Sequence, residues 1–283
     1  MTDDRTTKTR RRRRTLGQDV WGDRTPPVIR DLDRTLTTGL QFVGDLHILA
    51  RRVAPWLRGA RASERQAPVV LVHGYGADVG SLHFVARLLR NDGFEVYHVS
   101  LNTVERPVEA LGQELARKIE EIREVTGHRR VDLIGHSLGG LVIRYYVQMC
   151  AGWKYVSHVI TLGTPHRGGT YAIHLIAPLR YLGLYPAPIE DGSTKQLRPG
   201  SEFLRRLNSK TYRVRNLRKV DFTAVWSLAD AAVLPFWNGY FPHGRNRVLF
   251  IKGHVWMILS SSVYDLLKRI LLRPASGGKS DDD

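Results

Sequence analysis

Residues 131–149 read VDLIGHSLGGLVIRYYVQM, and the way this stretch divides decides the fold. VDLIGH (131–136) is a short apolar run of the kind that forms a buried strand, and a helical pattern follows from Leu138 to Met149. Between them lies Gly135-His136-Ser137-Leu138-Gly139-Gly140, a G-x-S-x-G pattern. A serine held on a sharp strand-to-helix corner needs neighbours without bulk two positions to either side, because side chains there would strike the strand or the helix. Gly135 and Gly139 meet that need as elbow residues, and Ser137 is the candidate nucleophile.

The same rhythm extends in both directions. VVLVHG (69–74), EVYHVSL (95–101), HVITLG (158–163), DFTAVWS (221–227) and RVLFIKG (247–253) read as further strands. Helical patterns fall at 81–92, at about 107–125 and after RVLFIKG to about Leu272. Alternation of this kind predicts an α/β fold with a mostly parallel central sheet flanked by helices. Between Pro165 and Val220 the pattern loosens around Pro178, Pro186, Pro188 and Pro199. That insertion, 165–220, is read either as a cap over the site or as a plain packed excursion.

A serine hydroxyl is a poor nucleophile near neutral pH, so it needs a base, and the base needs an acid to orient it. Asp230 follows the apolar stretch FTAVWSLA, and His254 follows RVLFIKG with Gly253 as its turn, so both are expected just past later strands. Asp221, Glu190, Asp191 and Asp265 are rival carboxylates. Asp221 precedes its strand, Asp265 belongs to the final helix, and Glu190 and Asp191 lie in the insertion. Among 11 histidines, His243 is the chief rival base but stands before the last strand, and His136 and His158 read as local structure. Stabilising the oxyanion of a tetrahedral intermediate requires inward-facing amides. Leu138, at the start of the helix, and Tyr75, bracketed by Gly74 and Gly76, are the two expected donors.

Together HGYG, GHSLGG, LGTPHRGG, SLADAAVLP and GHVWMILSSSV resemble bacterial lipases and esterases of the α/β-hydrolase superfamily, over about residues 68–272. The resemblance is to the compact triacylglycerol lipase and esterase group. It implies an α/β-hydrolase fold with Ser137, Asp230 and His254 as triad, oxyanion donors at Tyr75 and Leu138, and hydrolysis of carboxylic esters through an acyl-enzyme. Lipid esters are the implied substrate, and no metal or organic cofactor is called for. Two other readings stay open: an acyltransferase using the same triad, and a catalytically inactive lipid-binding or scaffold protein.

Composition bounds the partners. Lys and Arg number 43 against 27 Asp and Glu, a formal charge of +16, which favours anionic surfaces. The run Arg10–Arg14 sits in a basic arm, 1–34, expected to be disordered. An amphipathic helix is expected over 35–58, joined through a linker ending at 66 to the main domain, 67–273, with a disordered tail, 274–283. That helix either packs on the domain or docks on an anionic membrane. Nucleic acid is disfavoured, since no aromatic residues interleave with the basic run. The arginines are not followed by an apolar signal-peptide core, and no run reaches the roughly 18 to 20 apolar residues of a spanning helix. A cytoplasmic location with peripheral membrane association is expected. The single cysteine, Cys150, allows no intrachain disulfide and is expected to be a small buried hydrophobe.

Overall fold

The run Val69–Val72 forms the first strand, β1, and all four of its side chains are buried. In the computed structural model, which describes residues 67–169, 192–209 and 216–275, five more strands follow. They are β2 (Val96–Val99), β3 (Val131–His136), β4 (Val156–Leu162), β5 (Asp221–Ser227) and β6 (Arg245–Leu249). Their order across the sheet is β2-β1-β3-β4-β5-β6, and every neighbouring pair is parallel. The chain steps from β1 to β2 on one side and then returns to build β3 on the other. The change of direction therefore falls between β1 and β3, where open α/β sheets place their ligand crevice beyond the strand carboxyl ends.

The helices are α1 (His83–Asn91), α2 (Val108–Thr126), α3 (Leu138–Met149), α4 (Ser193–Gln196), α5 (Glu202–Leu207), α6 (Trp256–Leu259) and α7 (Ser261–Leu271). Successive strand side chains point to opposite faces, so β1 feeds two cores. Val70 and Val72 join Leu111, Leu115 and Ile119 of α2 and Val142 and Tyr146 of α3. Val69 and Leu71 join Leu88 and Leu89 of α1 and Tyr264 and Leu267 of α7 on the other face. A parallel sheet covered on both faces needs continuous apolar strands, which is why VVLV lacks alternation. Helix α2 stops at Gly127, whose φ of 70° lets its N–H close back on the Arg123 carbonyl.

Three segments and one residue depart from the sequence reading. Strand β4 begins at Val156, two residues before the expected start, because Asp132 from β3 supplies what the ladder lacks there. Between Val131 and Leu133 the register slips by one residue, a bulge on β4. The His158 N–H of that bulge donates to Asp132 Oδ1 at 2.9 Å. Strand β6 runs Arg245–Leu249 rather than 247–253. It lies at the sheet edge, and Phe250 and Ile251 beyond it are 73% and 84% exposed. His254 therefore sits at the end of a loop. The single final helix is two, α6 and α7, parted at Ser260, whose backbone is extended. Cys150 is half-buried at the end of α3 and packs against the core, and burial raises its thiol pKa. The arm 1–34, the helix expected at 35–58 and most of the tail lie outside the described residues. Of the insertion, α4 and α5 are described. No described helix is long and apolar enough to cross a membrane.

Candidate active site

Ser137 stands between β3 and α3 with φ 54° and ψ −123°. A non-glycine residue held there stores roughly 1–3 kcal/mol of backbone strain, which persists only where the surroundings over-determine it. The surroundings do so. The Ser137 N–H donates to the Leu162 carbonyl at 2.8 Å, and Thr164 Oγ1 donates to the Ser137 carbonyl at 2.9 Å. A Cβ on Gly135 would come within 2.8 Å of the Gly139 and Gly140 backbone, and one on Gly139 within 2.5 Å of the Val72 and His73 carbonyl oxygens. Gly140 is equally constrained, since a Cβ there would fall 2.0 Å from Thr164 Oγ1. The corner therefore needs three glycines, all in GHSLGG.

Asp230 lies three residues beyond β5 and is buried. Its Oδ1 accepts from the N–H groups of Ala232 at 2.9 Å and Val233 at 3.0 Å, a local turn that fixes the carboxylate before any partner arrives. His254 Nδ1 donates to that carboxylate at 2.9 Å to Oδ2 and 3.1 Å to Oδ1. With Nδ1 carrying the proton, Nε2 is the free basic nitrogen. The His254 side chain is 16% exposed against 2% for Asp230, so the ring bridges a buried acid and an accessible surface.

Two neighbours connect this pair to the serine corner. Gly163, with φ 55°, follows the Leu162 that binds Ser137. A Cβ on Gly163 would lie 3.0 Å from both Asp230 Oδ2 and His254 Nδ1. His136, immediately before Ser137, is buried and lies 3.2 Å through Nε2 from the His254 carbonyl, with the two rings 4.6 Å apart. A carbonyl only accepts, so His136 Nε2 carries the hydrogen. Burial first, and the nearby His254 charge second, push the His136 pKa down to about 3, keeping it neutral. The Ser137 hydroxyl makes no hydrogen bond to the His254 ring among the described residues. Such links are often long without substrate and tighten as it binds.

The expected oxyanion side is built from the loop after β1. His73 Nε2 accepts from the Leu101 N–H at 3.1 Å, so its Nδ1 bears the proton and donates to the Gly74 carbonyl at 2.9 Å. Burial lowers the His73 pKa, which preserves that tautomer. Thr103 ties the same loop, donating to the Gly74 carbonyl at 3.2 Å and accepting from the Gly76 N–H at 3.0 Å. A Cβ on Gly74 would touch the Ser137 Cβ at 3.0 Å, so this glycine lets the Tyr75 loop lie directly against the serine. Leu138 opens α3, where first-turn amides lack intrahelical partners.

The rivals are dispersed. Asp221 starts β5 and pairs with Arg245 Nη1 at 2.7 Å. His243 precedes β6 and packs edge-on against Phe241, at the opposite end of that strand from His254. Asp265 lies on α7, His158 pairs with Asp132, and Glu190 and Asp191 lie outside the described residues.

Comparison with known structures bears on the fold. A Bacillus licheniformis lipase, BlEst2 in its mature form, superposes with a TM-score of 0.63 at 20% identity, covering 75% of this chain and 94% of that one. The chain has the α/β-hydrolase fold. Lipase B of Aspergillus fumigatus shares the fold at a TM-score of 0.56 and 17% identity, over 76% of this chain and 55% of the lipase. By sequence, the family model for palmitoyl protein thioesterase matches residues 68–195. A triacylglycerol lipase from Vibrio cholerae is 33% identical over 115 residues, 39% of this chain and 36% of the lipase. Another from Burkholderia plantarii is 34% identical over 113 residues, 37% and 31% of the two chains. These matches span about a third of the length of the curated relatives.

Sequence reasoning passed over Gly163, Thr103 and Thr164 in the candidate site, and took His136 for local structure; Gly74 was expected there as a neighbour of Tyr75. The signal for Gly163 and Thr164 was present in LGTPHRGG, a strand end followed at once by turn residues, but nothing local says which side chains arrive there.

Proposed function

We propose that this chain is a serine hydrolase of carboxylic esters, with lipid esters as the substrate class, acting through Ser137, His254 and Asp230. The observation that carries the reading is the Asp230-oriented imidazole, Nδ1 to Oδ2 at 2.9 Å, next to a serine held at φ 54°. In the first half-reaction His254 Nε2 takes the Ser137 hydroxyl proton as Oγ attacks the ester carbonyl carbon. The oxyanion lies against the N–H groups of Tyr75 and Leu138. Collapse breaks the bond to the leaving oxygen, which departs with the proton from His254 and leaves Ser137 acylated. In the second half-reaction His254 deprotonates water, the resulting hydroxide attacks the acyl carbon, and the acid leaves as Ser137 regains its proton. Asp230 stays ionised and steadies the imidazolium in both.

The relatives are described as lipases and the matching family model as a thioesterase, activities that differ in the atom that leaves, oxygen or sulfur, and not in the acyl-enzyme step. Turnover of p-nitrophenyl esters and of acyl thioesters by the full chain tests both leaving groups. A competing alcohol separates hydrolysis from acyl transfer, because transfer yields a new ester. Ser137→Ala, with its fold checked by circular dichroism, is expected to lose turnover by a factor of about 10⁵–10⁶. Full activity in that variant refutes the assignment.

A further inference from the structure

The segment from Leu228 to Ser260 forms β6 and both loops that deliver Asp230 and His254. It contains one carboxylate, Asp230, which is buried and occupied by His254. It contains three cations, Arg245, Arg247 and Lys252. Around them it leaves bare an unusual amount of apolar surface. Ile251 is 84% exposed, Phe250 73%, Trp256 63%, Val255 54%, Trp237 53% and Leu228 40%.

These side chains form one surface. The Leu228 N–H donates to the Leu249 carbonyl at 2.9 Å, placing Leu228 beside the start of the 250–256 loop. Trp256 Cδ1 lies 3.4 Å from where a Gly253 Cβ would stand, with the Ala229 carbonyl 4.0 Å from the same point. Val248 pairs in register with Trp226, which stacks on Phe236, the neighbour of Trp237. The surface therefore runs along the open edge of the sheet and up to His254.

Three kinds of occupant fit bare apolar side chains: another copy of the chain, a different protein, or a lipid surface. Two copies meeting here would bring Arg247 and Lys252 against their own counterparts with no exposed carboxylate to answer them. Tryptophan with aliphatic tips and a cationic rim is the composition that suits a bilayer interface, where rings sit at headgroup depth and cations meet lipid phosphates. We propose that the 250–256 loop, with Trp237 and Leu228 at its flank, docks this protein on an anionic membrane. Arg247 and Lys252 contact the phosphates, and Phe250, Ile251 and Trp256 enter the acyl boundary. This rests on the reading under Proposed function and adds the source of the ester: a lipid drawn from an anionic bilayer onto His254 at the rim of the docking face. The attachment is by a folded loop and is separate from the Arg10–Arg14 run.

Co-sedimentation of the full chain with phosphatidylcholine vesicles, with and without phosphatidylglycerol, tests the docking without requiring turnover. The full chain is expected to bind the phosphatidylglycerol vesicles and to release as salt rises. The double variant Phe250→Ser with Ile251→Ser is expected to bind them about tenfold or more weakly while hydrolysing water-soluble p-nitrophenyl acetate at the parent rate. Arg247→Gln with Lys252→Gln is expected to lose the preference for anionic lipid. The proposal is overturned if the parent ignores both vesicles. It is equally overturned if the Phe250/Ile251 variant binds as the parent does, or if binding vanishes only when Arg10–Arg14 become Gln. A parent that is dimeric by light scattering and becomes monomeric in the Phe250/Ile251 variant would assign the surface to a second copy instead. Loss of the ester hydrolase reading through active Ser137→Ala leaves the vesicle result unaffected, so the two fail separately.

Discussion

Among the described residues, two buried aspartates each hold a histidine Nδ1 at 2.9 Å: Asp230 with His254, and Asp132 with His158. Alike in contact, they differ in place. Asp132 and His158 lie inside β3 and β4 near the strands' beginnings, with side chains 6% and 5% exposed. Asp132 Oδ1 takes both the His158 ring and its backbone N–H, filling the gap left by the bulge. Asp230 and His254 lie beyond the ends of β5 and β6, on loops, against Gly163 and the serine corner. An aspartate–histidine hydrogen bond by itself is thus no sign of catalysis. The first pair closes a fault in the sheet, and the second presents a basic nitrogen where strands stop and a ligand can enter.

Substitutions can break this division of labour. Asp230→Asn is expected to cost a factor of about 10³–10⁴ in kcat, because the amide favours the wrong imidazole tautomer, with little change in unfolding free energy. Asp132→Ala is expected to do the reverse. It leaves the buried His158 donors unanswered and lowers stability by about 3–5 kcal/mol in urea titration, while kcat for the folded fraction holds. If Asp132→Ala instead removed turnover at unchanged stability, the contrast between the pairs would collapse.

His136 sharpens the comparison, since it joins the corner to the loop that carries His254. His136→Leu removes the donor to the His254 carbonyl and is expected to lower kcat about 10- to 100-fold through misplacement of the ring. His136→Gln keeps an N–H donor and should recover part of that loss, with KM changing little in either variant.

Acid and alkali should separate the histidines in a smaller way. His158 is opposed by burial, but the Asp132 hydrogen bond and charge outweigh it and raise its pKa above the ordinary 6.5. The His158 contribution is complete below about 6.5 and is lost as pH rises through the raised value. His136, pushed to about 3, works in the opposite sense. Its contribution is complete above about 6.5 and is lost as pH falls toward 3. Thermal midpoints measured across this range should decline on both sides. Asp132→Ala should flatten the alkaline decline and His136→Gln the acidic one.

Much of this was legible along the chain. The buried runs at 69–72, 131–136 and 221–227, the helix 138–149 and the elbow glycines follow from local sterics and apolar periodicity, which neighbours in sequence determine. Asp230 and His254 were legible as residues past strand ends. What could not be read was that Asp132 meets His158 in a second pair. Asp132 and His158 offer the same chemistry as Asp230 and His254, and 26 and 24 residues, respectively, separate the two members of each pair.

The amino-acid sequence alone determined the alternation of strands and helices and the backbone corner at Ser137, because strain, glycine freedom and burial period act over a few bonds. Only the tertiary structure decided that Gly163 clears room for the Asp230–His254 pair, that His136 grips the His254 backbone, and that Phe250, Ile251 and Trp256 remain outside the core. Those outcomes depend on strand order and on which sheet edge stays open, which long-range packing sets.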